Sequence, residues 1–518
     1  MLAAMPLPPT TTPSGDETPV RGRDDACPGA LRLHPADDGS LARIRVPGGL
    51  LTGRQAQALG RVAEELGDGR LDITSRGNAQ VRGLAAGCGA ELAARLRAAG
   101  LLPSDRHDRV RNIVASPLSG LDGGGHADVV AWVRELDAVL CDEACVDALA
   151  GHAELSGLSG RFLFALDDGR GDVAALGADV TLIATPGGGA VLRIGGPPAV
   201  AGVASVATGG AAAGGELWVR SEDVARAAAL AAVEFLARAR ESGTRAWRVR
   251  ELPTQHAVTA DGLAARLADA GIEAVRAKHQ PAASAPPPAP GPVPGPDGRH
   301  ALSVALPLGR VSAAQWRLLT WLASRSGADE LRMTPWRGVV LPGFAPDDTR
   351  DALSELSDAG LVTTPDSPWL GVGACTGRPG CAKSLADVRS HATRMVADTV
   401  HGVGDMTRGV GDMAEVGPDT GGMVAAGSEP RPPRPMSGTG PDGGRGGAPD
   451  PLPVYVSGCE RRCGHPGGRW VDALATGDTD YRVAVRGGAK GDTPEAEYDV
   501  EVTAEQLAGA VAAARGTT

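Results

Sequence analysis

Four cysteines near the C-terminal end of the chain fall into two closely spaced pairs. Cys375 and Cys381 lie in ACTGRPGCAKS, and Cys459 and Cys463 lie in VYVSGCERRCGHP. Thiolates are soft anionic ligands, and a cubane iron–sulfur cluster needs one for each of its four irons. Glycine and proline in both segments keep the backbone open, so that amide N–H groups can face the sulfides. The pairs therefore predict a [4Fe-4S] cluster with these four cysteines as metal ligands. A structural zinc, which more usually shows shorter Cys–Cys knuckles, is the alternative.

The remaining cysteines carry weaker signals. Cys141 and Cys145 lie four residues apart on a predicted helix over residues 134–150. They are either half of a metal site or, as we favour, two small apolar side chains on a buried face. Cys88 has no partner at a ligand spacing, and Cys27 lies alone in the segment ACPG.

A second group of residues is basic and amide-bearing. In TSRGNAQVRG, the residues Arg76, Asn78, Gln80 and Arg82 alternate, which on a β-strand would place all four side chains on one face. Such a face is either a solvated sheet surface or a floor of guanidinium and amide groups for a polyanion, and we favour the floor. The following segment RHDRVRNIVAS adds Arg106, His107, Arg109, Arg111 and Asn112.

An internal repeat indicates which elements position these residues. With a shift of 260 residues, segment 45–83 aligns without a gap with segment 305–343 and keeps its hydrophobic pattern. Each copy predicts a strand, a helix and a strand, with the first helix over 52–66 and the next strand over 70–74. A looser match places Arg161 where the second copy has Cys459. One copy is therefore predicted to bind an anion and the other to hold the cluster, around a pseudo-twofold cavity.

The repeat and two low-complexity stretches predict the domain organisation of the 518-residue chain. We expect an α+β fold built from a duplicated two-domain unit. The predicted segments are a disordered lead-in (1–26), half-domain 1 (27–105), α/β domain 1 (106–278), a Pro-rich linker (279–299), half-domain 2 (300–364) and a cluster-binding α/β domain 2 (365–518). Residues 396–453 are rich in Gly, Pro, Asp and Met and predict a mobile insertion in the last domain.

Charge and hydropathy exclude several classes of protein. The net charge of −11 argues against a nucleic-acid binder, which usually carries a basic field. No run of about 18 apolar residues predicts a membrane span, and the first residues lack the pattern of a secretory signal. We therefore expect a cytoplasmic protein, in which thiols stay reduced and available for metal or redox chemistry.

The duplicated half-domains, C-x5-C with C-x3-C, T-S-R-x-N-x-Q and R-N together resemble the sirohaem-dependent nitrite and sulfite reductase superfamily. The stretches ACPGALRLHPADDGSLARIRVPGG, LRMTPWRGVVLPG and VSGCERRCGHPGG make the precorrin-3B synthase family the closer resemblance. It covers the chain from Cys27 onwards, apart from the two low-complexity stretches. It implies a nitrite/sulfite reductase-like architecture with two ferredoxin-like half-domains and two α/β cluster or cavity domains.

That family hydroxylates the tetrapyrrole precorrin-3A at C20 with O2 and forms a lactone, a step of cobalamin biosynthesis. The resemblance implies a [4Fe-4S] cluster on the four paired cysteines, with electrons that come ultimately from NADH and pass to a mononuclear non-haem iron. An electron-transfer reductase or ferredoxin is the implied partner. Arg76 and Arg111 match catalytic residues of the cavity, and the implied substrate-binding set is Arg76, Asn78, Gln80, Arg111 and Arg161.

The chain departs from the reductases beside Arg161. Nitrite and sulfite reductases present lysines in the matching segment, whereas this chain has Arg161 and Leu163. Reduction of a small oxyanion needs several proton donors, so the lost cation weakens the alternative function, a sirohaem-dependent nitrite or sulfite reductase. A tetrapyrrole-binding or iron–sulfur scaffold without catalytic activity is a third possibility. Candidate ligands of the mononuclear iron are Cys27, His107 and His465, for each of which a structural role is at least as consistent.

Overall fold

A computed structural model describes residue 25 and residues 27–141, 152–195, 215–277, 284–409, 451–487 and 498–516. The chain forms two compact units. The first runs to Leu370 and includes Pro379–Ala382, and the second comprises Gly371–Arg378 and everything from Lys383 onwards. None of the helices in the described ranges is both long and apolar enough to span a bilayer.

The described residues form helices and strands in mixed order, as expected for an α+β fold. The helices are α1 (Gly53–Glu65), α2 (Gly89–Ala98), α3 (Val130–Cys141), α4 (Val224–Ser242), α5 (Ala260–Asp269), α6 (Ala313–Arg325), α7 (Pro346–Asp358), α8 (Val388–Gly409) and α9 (Leu507–Gly516). The strands are β1 (His34–Ala36), β2 (Gly39–Ile44), β3 (Leu50–Thr52), β4 (Arg70–Ile73), β5 (Ala79–Leu84), β6 (Ile113–Ala115), β7 (Phe164–Asp167), β8 (Val180–Ala184), β9 (Ala190–Ile194), β10 (Leu217–Val219), β11 (Ala274–Arg276), β12 (Gly291–Pro294), β13 (His300–Ala305), β14 (Arg310–Ser312), β15 (Glu330–Met333), β16 (Gly338–Phe344), β17 (Val372–Ala374), β18 (Val454–Ser457), β19 (Trp470–Ala475), β20 (Asp480–Arg486) and β21 (Asp499–Thr503).

The two half-domains of the first unit exchange strands. One sheet has the order β1-β2-β5-β4-β14 and the other β12-β13-β16-β15-β3. Strand β14 of the second repeat thus pairs with β4 of the first, and β3 of the first repeat pairs with β15 of the second. The shared core contains Leu59 and Leu319, at matching positions of α1 and α6. The exchange makes the half-domains one interlocked, pseudo-symmetric body.

The helices α1 and α6 begin in the same way because their first residues repeat. Thr52 accepts a hydrogen bond from the Gln55 backbone N–H, and the Gln55 side chain accepts one from the Thr52 backbone N–H. Ser312 and Gln315 form the same reciprocal cap on α6. This capping box satisfies two N–H groups that the helix itself leaves unpaired.

The third sheet of the first unit has the order β11-β10-β9-β8-β7-β6. Strands β6, β7 and β8 are parallel, and β9 and β10 continue the sheet antiparallel. Helix α4 packs in the hydrophobic core of this region through a run of fully buried alanines. With few aromatic residues in the chain, alanine, valine and leucine fill this core.

The second unit contains one five-stranded sheet, β17-β18-β19-β20-β21. Its first three strands are parallel and the rest antiparallel, which repeats the pattern of β6 to β10 in the first unit. Helices α8 and α9 pack against each other and against this sheet.

Three predicted segments need correction. The expected linker 279–299 contains β12, an edge strand, and edge positions tolerate its Pro292 and Pro294 because one side of the strand needs no N–H. Asp25, placed in the lead-in, is only 8% exposed and hydrogen-bonded. Helix α8 runs to Gly409 and so occupies the start of the expected insertion 396–453. Residues 1–24, 26 and 410–450, and also Cys145, lie outside the described residues.

Candidate functional site

The segment Thr74–Asn78 is a turn between β4 and β5. The Thr74 N–H donates to the Asn78 carbonyl (2.9 Å), and Gly77 adopts a positive φ of 65° that glycine tolerates. Arg76 and Asn78 therefore precede β5, and only Gln80 and Arg82 lie in the strand. The prediction that all four side chains share one strand face is wrong, because the turn breaks the alternation.

Two of the four residues, Asn78 and Arg82, form hydrogen bonds that hold the fold together. Asn78 is fully buried, accepts a hydrogen bond from the Val46 N–H (3.0 Å) and donates to the Asn112 side chain (2.9 Å). Arg82 forms a two-pronged ion pair with Asp38 at 2.8 Å for each hydrogen bond. Arg82 also donates to the Gly380 carbonyl (2.8 Å), in the Pro379–Ala382 segment that carries Cys381.

Arg111 is a buried structural cation. Its Nε and Nη2 donate to the two carboxylate oxygens of Asp137, both at 2.7 Å, and its Nη1 donates to the Leu101 carbonyl at 3.0 Å. This pairing raises the pKa of Arg111 against the opposing effect of burial. A guanidinium whose three nitrogens each donate to a protein acceptor has little to offer a ligand. Its position therefore argues against the expected catalytic and substrate-binding role.

Arg43, Arg45 and Arg76 instead converge on Cys27 and Gly160, and we call these three residues the arginine cluster. Arg43 Nη1 and Arg45 Nη2 lie 3.8 and 3.4 Å from the Cys27 sulfur. Arg45 Nη2 and Arg76 Nη1 donate to the Gly160 carbonyl at 3.2 and 3.4 Å. The Gln80 side chain accepts from Arg43 Nη2 at 3.2 Å.

The arginine cluster concentrates three positive charges, of which Arg45 interacts electrostatically with the buried carboxylate of Asp108. Within the part of the chain that the structure describes, none of its three guanidinium groups forms an ion pair with a carboxylate. Burial, followed by the nearby cations Arg248 and Arg45, lowers the pKa of Arg76 to about 10. Burial and then Arg45 lower the pKa of Arg43. Clustered buried cations of this kind are stabilised by an anion that accepts their free N–H groups.

The rim of the cluster is Arg161. Its guanidinium lies over the Trp247 ring, 4.8 Å from the ring centroid, and 4.0 Å from a carboxylate oxygen of Asp25. The other carboxylate oxygen of Asp25 accepts from the Ser159 hydroxyl (2.7 Å) and the Gly160 N–H (2.8 Å). The same loop thus carries both the Gly160 carbonyl, which accepts hydrogen bonds from Arg45 and Arg76, and the half-exposed guanidinium of Arg161.

The equivalent region of the second repeat has no such charge. With the 260-residue shift, Arg43, Arg45 and Arg76 correspond to Ser303, Ala305 and Trp336. Trp336 packs on a small apolar group that includes Leu163, which is only 4% exposed. The gap that remains is about 30 Å³ and is lined by Pro288, Ser303, Val304, Ala305, Thr334, Trp336 and Gly338. The anion-binding arrangement therefore exists in one repeat.

In the second unit, two parallel strands bring cysteine-bearing loops to one edge. Cys375 directly follows β17, and Gly458 and Cys459 directly follow its neighbour β18. The Gly458 N–H donates to the Cys375 sulfur (3.2 Å). A side chain at Gly458 would meet the Ser384 hydroxyl, which explains the glycine. A backbone N–H on a cysteine sulfur suits a thiolate ligand of a cluster.

Three described cysteines of the second unit do not form a compact site for a single metal ion. Thiolates on one zinc lie about 3.8 Å apart, as tetrahedral Zn–S bonds require. Among the described residues, Cys375, Cys459 and Cys463 form no group within 4.8 Å. None of the three forms a disulfide with another described cysteine, and neither does Cys381 in the Pro379–Ala382 segment of the first unit. Soft sulfur donors of this kind are the ligands that a [4Fe-4S] cluster takes.

The candidate ligands of a mononuclear iron do not form a site. Cys27 lies against the arginine cluster, and His107 is buried with Nδ1 2.9 Å from the Ser104 hydroxyl. His465 stacks on Trp470 with ring centroids 5.1 Å apart. In the described ranges none of the three joins two other His, Cys, Asp or Glu ligands within 4.8 Å. These residues do not fit a mononuclear iron.

A buried acidic group was not anticipated. Asp167, Asp168 and Asp172 offer oxygens within 4.8 Å of one another. Both oxygens of Asp167 accept backbone N–H groups, and Asp168 pairs with Arg170. Burial and the two neighbouring carboxylates, against a hydrogen bond from Ser116, raise the pKa of Asp172 to about 7. The segment LDDGRGD shows the carboxylates but not that they meet.

Arg43, Arg45 and Trp247 also escaped the sequence interpretation. A signal existed for the two arginines, because LARIRVPGG places charged residues at alternate positions of an otherwise apolar strand. Trp247 carries no motif; only the fold brings it to Arg161.

Comparison with known protein families matches both half-domains. Residues 34–99 and 293–359 each match the nitrite/sulfite reductase ferredoxin-like half domain. The solved structure of the Mycobacterium tuberculosis NirA protein is similar with a TM-score of 0.63 and 18% identity, over 91% of this chain and 79% of that one. The fold is therefore the nitrite/sulfite reductase fold with two ferredoxin-like half-domains.

Two curated relatives point in different directions. A ferredoxin–nitrite reductase of Synechococcus elongatus is 37% identical over 132 residues, which are 25% of this chain and 25% of the relative. A precorrin-3B synthase of a Sinorhizobium species is 26% identical over 381 residues, 72% of this chain and 73% of the relative. The match thus spans about a quarter of the nitrite reductase. Together, these findings show that the chain is similar in sequence to members of the nitrite/sulfite reductase superfamily.

Proposed function

We propose that this protein is a precorrin-3B synthase. It hydroxylates precorrin-3A at C20 with O2 and closes a lactone, in aerobic cobalamin biosynthesis. The observation that carries the proposal is the arginine cluster, which gathers one buried and two half-buried guanidinium groups that form no ion pair with a carboxylate among the described residues. A tetrapyrrole with many carboxylates supplies the missing counter-ions, and guanidinium groups pair with carboxylates through two parallel hydrogen bonds.

The proposed roles follow from the contacts of each residue. Arg43 and Arg45 have buried N–H groups available for a carboxylate, and Arg76 approaches from the turn before β5. Arg161 adds a half-exposed cation at the rim, held by Trp247 and Asp25. Gln80 orients Arg43 and takes no part in binding itself. Asn78 and Arg111 stabilise the fold around the arginine cluster.

Leu163 distinguishes the proposed reaction from oxyanion reduction. The Leu163 side chain is buried against Trp336. By the resemblance described above, nitrite and sulfite reductases carry a lysine in the matching segment. An apolar residue at this position cannot donate a proton. Hydroxylation by O2 consumes only two protons and two electrons per turnover, with one oxygen atom entering the substrate and the other leaving as water.

Cys375, Cys381, Cys459 and Cys463 are the proposed holders of a [4Fe-4S] cluster, which when bound supplies single electrons. Those electrons derive from NADH through a reductase or ferredoxin partner. The Gly458 N–H on the Cys375 sulfur stabilises negative charge at that ligand. Because the candidate iron ligands do not form a site, no step is assigned to a mononuclear iron.

A sirohaem-dependent nitrite or sulfite reductase is the second candidate. The observation in its favour is the 37% identity to a ferredoxin–nitrite reductase, which exceeds the identity to the synthase, although over a shorter segment. Both candidates use an arginine-lined cavity and a [4Fe-4S] cluster, so the substrate decides between them.

One experiment separates the two functions. The anaerobically purified protein is incubated with precorrin-3A, a reductant and isotopically labelled O2, and the tetrapyrrole is analysed by mass spectrometry. We expect gain of one labelled oxygen atom, with heat-inactivated protein as the control. Absence of labelled product, together with extractable sirohaem and reduction of nitrite or sulfite, would establish the second candidate. Absence of all turnover with intact tetrapyrrole binding would indicate a scaffold protein.

A further inference from the structure

Cys27 occupies a chemically unusual position. Its sulfur lies 3.4 Å from Arg45 Nη2 and 3.8 Å from Arg43 Nη1, and its S–H is directed at the Gly160 carbonyl 3.6 Å away. The backbone N–H of Cys27 donates to Asp25 (3.0 Å), which fixes the segment. A side chain at Gly160 would collide with the Cys27 sulfur, so the glycine permits this approach.

The guanidinium groups around this sulfur have hydrogen-bonding capacity that nothing described uses. Arg45 is only 1% exposed, and its buried Nη1 has no hydrogen-bond partner among the described residues. The buried Nε of Arg43 has none either. Buried N–H groups without acceptors are unfavourable, and a thiol sulfur is a weak acceptor. Oxygen atoms attached to that sulfur would be strong ones.

We propose that Cys27 is an oxidative modification site at which hydrogen peroxide converts the thiol to a sulfinate that is held by Arg43 and Arg45. In the first step an S–O bond forms as the O–O bond of peroxide breaks, giving a sulfenic acid and water. A second peroxide repeats the exchange and gives a sulfinic acid and a second water. The sulfur loses four electrons, the two peroxides gain them, and the sulfinic acid releases its proton to solvent.

The modification has a consequence for the arginine cluster. A sulfinate carries one negative charge on two oxygens, as a carboxylate does, and therefore competes for the same N–H groups as an anionic ligand. We expect oxidised Cys27 to prevent carboxylates from binding to the arginine cluster. Conversely, a bound anion covers the donors and shields the sulfur. This inference goes beyond the proposed function and does not depend on which tetrapyrrole the protein takes.

The other described thiols outside the cluster motif provide internal controls. Cys141 lies 3.9 Å from the Asp137 carboxylate, and burial raises the pKa of Cys141 to about 12. Cys88 is half-buried at the start of α2 and packs against the half-domain core. Cys141 also forms a hydrogen bond with Arg111, but buried N–H groups without a hydrogen-bond partner are found on Arg43 and Arg45 and not on Arg111 among the described residues. We therefore expect less stabilisation of an oxidised product at Cys141 and Cys88 than at Cys27.

The test is peptide mass spectrometry after peroxide treatment of the full-length protein with its metal cofactors. We expect Cys27 to gain two oxygen atoms at peroxide concentrations at least fivefold lower than Cys88 or Cys141. Prior incubation with uroporphyrin III, an octacarboxylate, should protect Cys27 alone. Binding of the same porphyrin should weaken at least tenfold after oxidation and be unaffected by oxidation of a Cys27→Ala variant. Equal oxidation of the three cysteines would overturn the proposal.

A variant isolates the role of the arginines. Arg43→Gln keeps a polar side chain and removes its charge, and should lower sulfinate formation at Cys27 at least fivefold, whereas Arg43→Lys restores part of it. Unchanged oxidation in a folded Arg43→Gln protein would contradict the proposal. If that variant does not fold, preferential oxidation of Cys27 over Cys88 and Cys141 in the wild-type protein remains decisive, because its absence overturns the proposal whether or not a porphyrin binds.

Discussion

The indole N–H of Trp316 donates to the backbone carbonyl of Ala56 at 2.7 Å, and the two residues occupy the same position in the two repeats. Both are fully buried, on the facing helices α6 and α1. The pseudo-twofold relation is thus asymmetric at its centre, where one repeat contributes a large side chain and the other the space for it. Gly60 provides that space, since a Cβ there would come within 2.8 Å of the Trp316 ring.

This contact predicts that Trp316 stabilises the paired half-domains. Trp316→Ala should lower the free energy of unfolding by about 3–5 kcal/mol, as expected for a large aromatic side chain removed from a core. Thermal unfolding monitored by fluorescence or calorimetry measures the loss. Trp321→Ala is the matched control, because Trp321 lies on the same helix and is 49% exposed. Equal effects of the two substitutions would contradict the central role of Trp316.

The arginine cluster and Arg111 should respond to substitution in opposite ways. Arg76→Gln removes a half-buried cation that forms no ion pair with a carboxylate in the described residues, so it should weaken uroporphyrin III binding by about 10-fold or more with little loss of stability. Arg111→Gln leaves Asp137 without its partner and should cost about 3 kcal/mol of stability while porphyrin affinity stays unchanged. Fluorescence titration and thermal unfolding measure the two effects. Loss of affinity in both variants would restore Arg111 to the binding site.

The sequence was sufficient for the fold because the core repeats. The 260-residue shift aligns the capping pairs and the buried positions of α1 and α6, and hydrophobic periodicity reflects burial directly. The sequence did not predict the roles of the basic residues, because the residues that pair with them are distant in the sequence. Arg111 pairs with Asp137, a residue on another element, and nothing local reveals which arginine is neutralised. Gly77 similarly turns the chain at a point where alternation alone predicts a continuous strand.

The cysteine motif requires the fewest assumptions, and it yields a direct test. Cys459→Ser should abolish or strongly reduce the broad visible absorbance of a [4Fe-4S] cluster and its electron paramagnetic resonance signal after reduction, because a hydroxyl is a poor ligand for iron–sulfur clusters. Cys88→Ser is the matched control and should leave both signals unchanged. A wild-type spectrum in the Cys459→Ser protein would exclude Cys459 as a ligand.

Trp247 is predicted to position Arg161. A guanidinium over an aromatic ring gains about 0.5–1 kcal/mol at exposed sites, which restricts an otherwise mobile side chain. Arg161→Gln and Trp247→Leu should each weaken uroporphyrin III binding about three-fold, and the double variant should be little worse than either alone. Trp247→Phe keeps an aromatic face and should retain most of the affinity. Additive losses in this double-mutant cycle would show that Trp247 acts only on the fold.

Asp172 should make the stability of the first unit depend on pH. Its carboxyl is surrounded by Asp167, Asp168 and Ser116, and Arg170 pairs with Asp168 beside it. Burial first, and then the two carboxylates, raise the pKa of Asp172 to about 7 from an ordinary value of 3.8. Between these pH values the folded protein holds a proton that the unfolded chain has lost. Stability therefore falls as pH rises through this window, and the full cost applies above pH 7.

Asp172→Asn removes that cost and keeps an acceptor for the Ser116 hydroxyl. The variant should gain stability relative to the wild type as pH rises from about 4 to about 7, by an amount on the order of 2 kcal/mol, and the gain should level off above that range. Thermal unfolding across this pH range measures the difference. Asp261→Asn, at a carboxylate that is 87% exposed, is the control and should show a difference that does not vary with pH. A constant offset between the wild type and Asp172→Asn would mean that Asp172 is ionised in the folded protein throughout the range.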